Sequence, residues 1–144
     1  MNEPSFRAYI GDKGIETLDD ARQYLREVPI AHYLQHGFGV YRVSLRQNLI
    51  PVGLCGLVRR DEFPDPDLGF AFLHDHWSNG YAFESSQSVL EFALGPLGLR
   101  RVIAMADPLN QASIRLLDKL GFRYERMVTM PGETSEVRRY AYEI

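Results

Sequence analysis

Cysteine is nearly absent from this chain. Cys55 is the single one among 144 residues, so no intrachain disulfide can form and a reducing compartment is the expected setting. Basic charge is not in excess. Sixteen Lys and Arg against 19 Asp and Glu leave a net charge of -3 and a pI near 5.8. That argues against the broad positive surface that nucleic acid or a membrane face attracts. No apolar run approaches the roughly 18–20 residues of a membrane-spanning helix, and the N-terminus carries no signal-peptide pattern. A cytoplasmic protein is therefore expected. Internal repeats, low-complexity segments and a Gly-x-Gly-x-x-Gly fingerprint are also missing, which argues against a Rossmann-type nucleotide binder.

What is present fits one domain over residues 1–144. Hydrophobic residues make up 45% and charged residues 24%, both ordinary for a globular chain. A chain of this length buries roughly 68–70% of its unfolded surface. Thr17 followed by Asp20 marks a helix start, with Ala21, Tyr24, Leu25 and Val28 at helical spacing. Pro29 is expected to interrupt it, a second short helix running to His36 with Gly37 as its stop. From Phe38 the period changes to two: "FGVYRVSL" and "PVGLCGLVR" read as a hairpin, and "LGFAFL" (Leu68 to Leu73) as a third strand. A helix after Gly80 carries an apolar stripe through Phe83, Val89, Leu90, Ala93, Leu94 and Leu97. "RVIAMA" reads as a strand buried on both faces. Another helix starts at Asn110, turns Ile114, Leu117 and Leu120 inward and ends at Gly121, and two strands follow around "PGET". The order predicts an α/β or α+β domain with a mixed sheet, parallel only across the helix from Gly80.

Two strand-to-helix junctions carry the chemical signal. In "WSNGYAFESS" (Trp77 to Ser86), Gly80 admits close backbone approach and Ala82 keeps the first turn slim, yet no Lys or Arg stands there. The first amides of a helix lack internal partners and face the positive dipole end, so they can hold a phosphate without a basic side chain. An ordinary loop-to-helix junction has the same composition. In "NQASIRLLDKLGF", Asn110 opens a helix after Asp107-Pro108, with Ser113 one turn in. Both junctions follow strand C-terminal ends, where a split sheet binds ligands.

Together these segments resemble the paired signature of the GNAT acyl-CoA N-acyltransferase superfamily, and in particular its ribosomal-protein N-acetyltransferase (RimJ/RimL) branch. The resemblance implies a largely antiparallel mixed sheet, splayed at its centre between "LGFAFL" and "RVIAMA", with helices on both faces. It implies acetyl-CoA as co-substrate and a primary amine (a protein N-terminus or a small molecule) as acceptor, with no metal. The expected cofactor-binding residues are Phe70, Phe72, Leu73, Trp77, Ser78, Asn79, Gly80, Tyr81, Ala82, Asn110 and Ser113. "LGFAFL" would be a bulged strand pairing with the pantetheine arm, and Phe72 or Leu73 would give a backbone N–H to the oxyanion. Ser113 is the expected acid toward the leaving thiolate, Leu117 standing where many relatives have a tyrosine. Asp67 is the expected base, acting through water, with a solvated strand-edge carboxylate as the plain alternative. Glu62 is a weaker base candidate, and Glu84 is read as supporting its helix dipole.

The resemblance implies that the family's usual first strand and helix are expected to be absent, "MNEPSFRAYIGD" resembling the end of that helix. The strand near Phe38 to Leu45 would then be an open edge suited to a homodimer. The acceptor wall is expected from "FRAYIGDKGIETL", the "DEFPDPD" loop and the final hairpin. Cys55 reads as a buried small hydrophobe, and His32 and His36 as a helix face without a third ligand for a metal. His74 and His76, in the approach to the loop, could titrate near the cofactor, with plain loop residues as the alternative reading. The rival reading is a CoA-binding sensor or interaction module with a degenerate version of the same fold.

Overall fold

A computed structural model describes residues 1–143 of the chain. Six strands form one sheet in the order β1-β2-β3-β4-β6-β5. They are β1 (Val40–Ser44), β2 (Pro51–Val58), β3 (Asp67–Phe72), β4 (Arg101–Ala106), β5 (Arg123–Thr129) and β6 (Glu136–Glu143). All neighbours are antiparallel except β3 and β4, which run parallel and share one register pair, Asp67 with Ile103. Beyond that pair the strands part, between the two segments for which the family resemblance implies a splay.

The helices are α1 (Pro4–Tyr9), α2 (Leu18–Leu25), α3 (Ala31–His36), α4 (Tyr81–Leu94) and α5 (Gln111–Leu120). α2 begins with a reciprocal cap: Thr17 Oγ1 accepts from Asp20 N at 3.1 Å, and Asp20 Oδ2 accepts from Thr17 N at 2.7 Å. Pro29 does not break the helix. Residues Arg26–Ile30 widen into a π turn that accommodates the proline, and α3 continues to its left-handed cap at Gly37. Tyr33 of α3 stacks on Tyr41 and donates its hydroxyl to the Val40 carbonyl on the β1 edge.

Residues paired across a ladder share a face. Cys55, Leu57, Leu68 and Phe70 therefore look one way, toward α4, where Cys55 Sγ lies 3.5 Å from Ser86 Oγ. Leu90 and Ala93 of α4, Ile114 and Leu117 of α5, and Val102, Ala104 and Tyr140 complete that core. On the opposite face of the β4-β6-β5 half, Arg101 pairs with Asp65 at 3.2 Å and also with Glu125 and Glu143, and Arg139 reaches Glu125 at 3.0 Å.

Two expectations about β3 need correction. Its register with β2 runs from Asp67 to Phe72 without a shift, so it carries no bulge. Asp67 is neither a loop nor a solvated edge residue. It is the first residue of β3, 3% exposed, with Oδ2 2.8 Å from Arg60 Nε. Burial pushes its carboxyl above the usual range, while the Arg60 guanidinium and the Met105 backbone N–H pull the other way.

Candidate functional site

The splay opens into a cavity of about 350 Å³ at the C-terminal end of β3. Its floor is Phe70 to Phe72, one wall is the loop and first turn from His76 to Phe83, and a second is α5 with Asn110, Ser113 and Leu116. The third wall is α1, through Ser5, Phe6, Tyr9 and Ile10.

The β3 backbone is available on the cavity side. Leu73 N donates to Val52 O at 2.9 Å, which makes that pair a hydrogen-bonded one. Antiparallel ladders alternate, so the main-chain groups of Phe72 and Phe70, paired with Gly53 and Cys55, turn away from β2 and into the splay. The oxyanion donor expected from Phe72 or Leu73 is thereby narrowed to Phe72, because the Leu73 amide is already spent. The Phe72 carbonyl is taken too, by the Trp77 indole N–H at 2.8 Å.

That indole bond clasps the loop to the strand. A short 3₁₀ turn, His74–His76, follows β3, and Trp77 N closes on His74 O at 3.0 Å. Ser78 then takes a φ of 60° and Gly80 a φ of 82°, two left-handed residues within three positions. Glycine adopts that region freely and serine at a cost. Asn79 turns its amide back onto Trp77 O at 2.9 Å, and the loop carries no Lys or Arg. The first helical bond of α4 is Glu84 N to Gly80 O, and no side chain caps the helix. The amides of Tyr81, Ala82 and Phe83 thus have no helical acceptor. A Cβ built on Gly80 meets no atom within 4 Å, so the position at the start of the helix beside these amides is open. The arrangement fits a phosphate group.

On α5, Asn110 Oδ1 accepts from Ser113 N at 3.1 Å, so the asparagine is the helix cap as well as a lining residue. Ser113 is half-buried on the cavity, and among the described residues its hydroxyl forms no hydrogen bond. Leu117 is fully buried in the core. The cavity-lining residues of α5 are Ala112, Ser113, Arg115, Leu116 and Lys119, and Leu117 is not among them.

Of the residues expected to bind the cofactor, Phe70, Phe72, Trp77, Ser78, Asn79, Gly80, Tyr81, Ala82, Asn110 and Ser113 line the cavity. Leu73 does not; it is 39% exposed and directed elsewhere. Asp67 does not either, because its buried ion pair with Arg60 holds it at the closed end of the splay. It therefore does not reach the cavity as a base. Of the expected acceptor wall, Phe6, Tyr9 and Ile10 line the cavity, and the "DEFPDPD" loop and final hairpin do not. His76 lines the cavity, and the sequence reading missed Ser5, Phe83, Ala112, Arg115, Leu116 and Lys119 as lining residues. Helical spacing from Ser113 points to Leu116, but nothing local points to the others.

The remaining candidates take structural places. Burial pushes the Cys55 thiol up, which suits a core residue and not a nucleophile. His32 and His36 stack edge to face at 5.5 Å, and burial, His36 and Arg60 push His32 down. Among the described residues, no three His, Cys, Asp or Glu stand together as metal ligands, and no helix is long and apolar enough to cross a membrane. Glu62 and Glu84 are exposed.

The sequence matches the family model described as "Acetyltransferase (GNAT) domain" over residues 1–123. Bacillus subtilis YkkB is 32% identical over 132 residues, covering 89% of this chain and 74% of that protein. The B. subtilis N-acetyltransferase YoaA is 26% identical over 137 residues, covering 94% of this chain and 71% of that protein. Among solved structures, an acetyltransferase from Agrobacterium tumefaciens superposes with a TM-score of 0.80 at 18% identity, covering 99% of this chain and 80% of that one. A ribosomal-protein-S5-alanine acetyltransferase from Vibrio fischeri superposes at 0.71 and 16% identity, covering 87% of this chain and 71% of that one. A spermidine N-acetyltransferase chimera from Vibrio cholerae and hSSAT superposes at 0.75 and 17% identity, covering 94% of this chain and 82% of that one.

Proposed function

The chain belongs to the GNAT acetyltransferase family, and we propose that it transfers the acetyl group of acetyl-CoA to the nitrogen of a primary amine. The observation that carries this reading is the splay between β3 and β4, with the unpartnered amides of α4 beside it. The amides of Tyr81 to Phe83 hold the pyrophosphate, and open space over Gly80 lets it approach. The free main-chain groups of Phe70 pair with the amide-bearing arm of the donor, in place of the strand pairing that β4 does not give.

The donor molecule supplies a thioester. The amine nitrogen attacks its carbonyl carbon, a C–N bond forms, the C–S bond breaks, and the amine loses a proton as the thiolate gains one. The Phe72 N–H faces the splay and can donate to the carbonyl oxygen as charge develops on it. The unpaired Ser113 hydroxyl on the adjacent wall can donate to the departing sulfur. The carboxyl of Asp67 takes no part at the reacting atoms. Proton loss from the amine falls to solvent, helped by the low polarity of the cavity, which favours the neutral amine. A pairing of two copies through the β1 edge also belongs to this proposal.

The test is thiol release from acetyl-CoA in the presence of a panel of primary amines, with calorimetry of CoA binding alongside. Amine-dependent release supports the transferase. CoA binding with no release for any amine supports a CoA-binding module, and no CoA binding refutes both.

A further inference from the structure

We propose that the acceptor is a small primary monoamine carrying an apolar or aromatic group, and not a polyamine. This rests on the acetyl-transfer reading and names the substrate class for the same cavity. With the loop of α4 and the face of α5 assigned to the donor, α1 is the wall left for the acceptor. Its lining side chains are Phe6, Tyr9 and Ile10, and across from them stand Phe70 and Phe72. Tyr9 and Ile10 are 41% and 43% exposed, and both line the cavity.

The charge of the lining decides against a polycation. Among the described residues, no Asp or Glu lines the cavity, while Arg115 and Lys119 do. Lys119 Nζ sits 4.2 Å over the Phe83 ring. The two carboxylates flanking this wall in sequence have partners: Glu3 Oε2 accepts from His74 N at 3.1 Å, and Asp12 pairs with Arg7 at 3.7 Å. A polyamine would bring two or more ammonium groups into a cavity whose lining has no carboxylate to pair them, and unpaired charges are costly to desolvate. A monoamine with an apolar tail brings only one such charge. Its tail covers Phe6, Tyr9 and Ile10. Its one ammonium group faces aromatic rings, which attract cations, and desolvation eases the proton loss that attack requires.

The experiment compares 2-phenylethylamine, spermidine and an N-terminal-alanine peptide amide as acceptors at fixed acetyl-CoA and 150 mM salt, reading kcat/KM from thiol release. Binding of each amine to the CoA-saturated protein is measured by calorimetry in parallel. The expected result is at least a tenfold preference for 2-phenylethylamine over both others. Ile10→Glu should narrow or reverse the ratio to spermidine, and Tyr9→Ala should raise KM for 2-phenylethylamine about fivefold with CoA affinity unchanged. Both positions are exposed, so the variants should fold. Equal use of spermidine, or a preference for it or for the peptide, overturns the inference. If no amine releases thiol but 2-phenylethylamine still binds tenfold better than spermidine, the substrate class stands and the transfer reaction falls.

Discussion

Gly80 and Gly37 form a matched pair of substitutions. Both hold a left-handed backbone, with φ of 82° and 74° and ψ near zero, and neither would place a Cβ within 4 Å of another atom. Gly37 ends α3, far along the chain from the cavity, and Gly80 opens α4 at its rim. Replacement by alanine should cost each protein about 1–2 kcal/mol for the left-handed conformation alone. In a domain of this size each kcal/mol lowers Tm by about 2–4 °C. The two variants should therefore melt alike, a few degrees below the parent. They should differ in CoA affinity. If phosphate approaches the amides of Tyr81 to Phe83 through the space over Gly80, the added methyl removes at least one charge-assisted hydrogen bond, worth about 1.5–3 kcal/mol. That is roughly tenfold or more in Kd. Calorimetric titration of CoA into both variants, with melting curves on the same samples, measures the two effects separately. Equal CoA affinity in Gly80→Ala and Gly37→Ala would refute the amide-cradle argument, since strain is matched and only location differs.

Other expectations follow from single contacts. A Cβ on Gly53 would lie 2.5 Å from both Ala71 O and a Phe72 ring carbon. Gly53→Ala should lose about 1–3 kcal/mol in urea denaturation and, by moving Phe72, raise KM for acetyl-CoA. Asp67 has a folded pKa above its unfolded value, so the unfolded chain releases this proton first. Its contribution to stability is therefore greatest below the unfolded pKa of about 3.9 and falls as pH rises through the window above it; urea titrations across pH should show that slope flattened in Asp67→Asn relative to the parent. Ser113→Ala should lower kcat by about 10²-fold or less, with CoA affinity unchanged; near-parent turnover would remove Ser113 from the mechanism. The β1 edge predicts a concentration-dependent mass in light scattering, and a constant monomer mass would count against pairing there.

Elements governed by neighbours in sequence were legible. The Thr17–Asp20 cap, the Gly37 and Gly121 stops and the alternation in β1 and β2 each need only a few residues, and each stands as read. The two strand-to-helix junctions could be located for the same reason. What could not be read depends on partners far away in sequence or on main-chain direction. Asp67 is buried because β3 meets β4 there and Arg60 crosses to it. Leu73 is spent because Val52 lies opposite. α1 reaches the cavity because Glu3 meets the His74 amide, 71 residues away. Pro29 misled for another reason: a π turn lets a proline stay in a helical path, and composition does not distinguish that from a break.

The single register pair between β3 and β4 also bears on how the chain assembles. β1, β2 and β3 follow one another in sequence and in the sheet, and β4, β5 and β6 form the other half. The first half sets its strand alignment through short connections, which close at low entropic cost, while in the second β6 returns past α5 and β5 to pair with β4. Almost none of that alignment is borrowed across the junction. The halves are instead held in register by α4, whose buried Ser86, Leu90 and Ala93 are the residues that join them. The N-terminal half can thus be complete on a growing chain before β4 exists. A slip in pairing within one half would remain confined to it, and α4 docking would be the step that commits the two to a common structure.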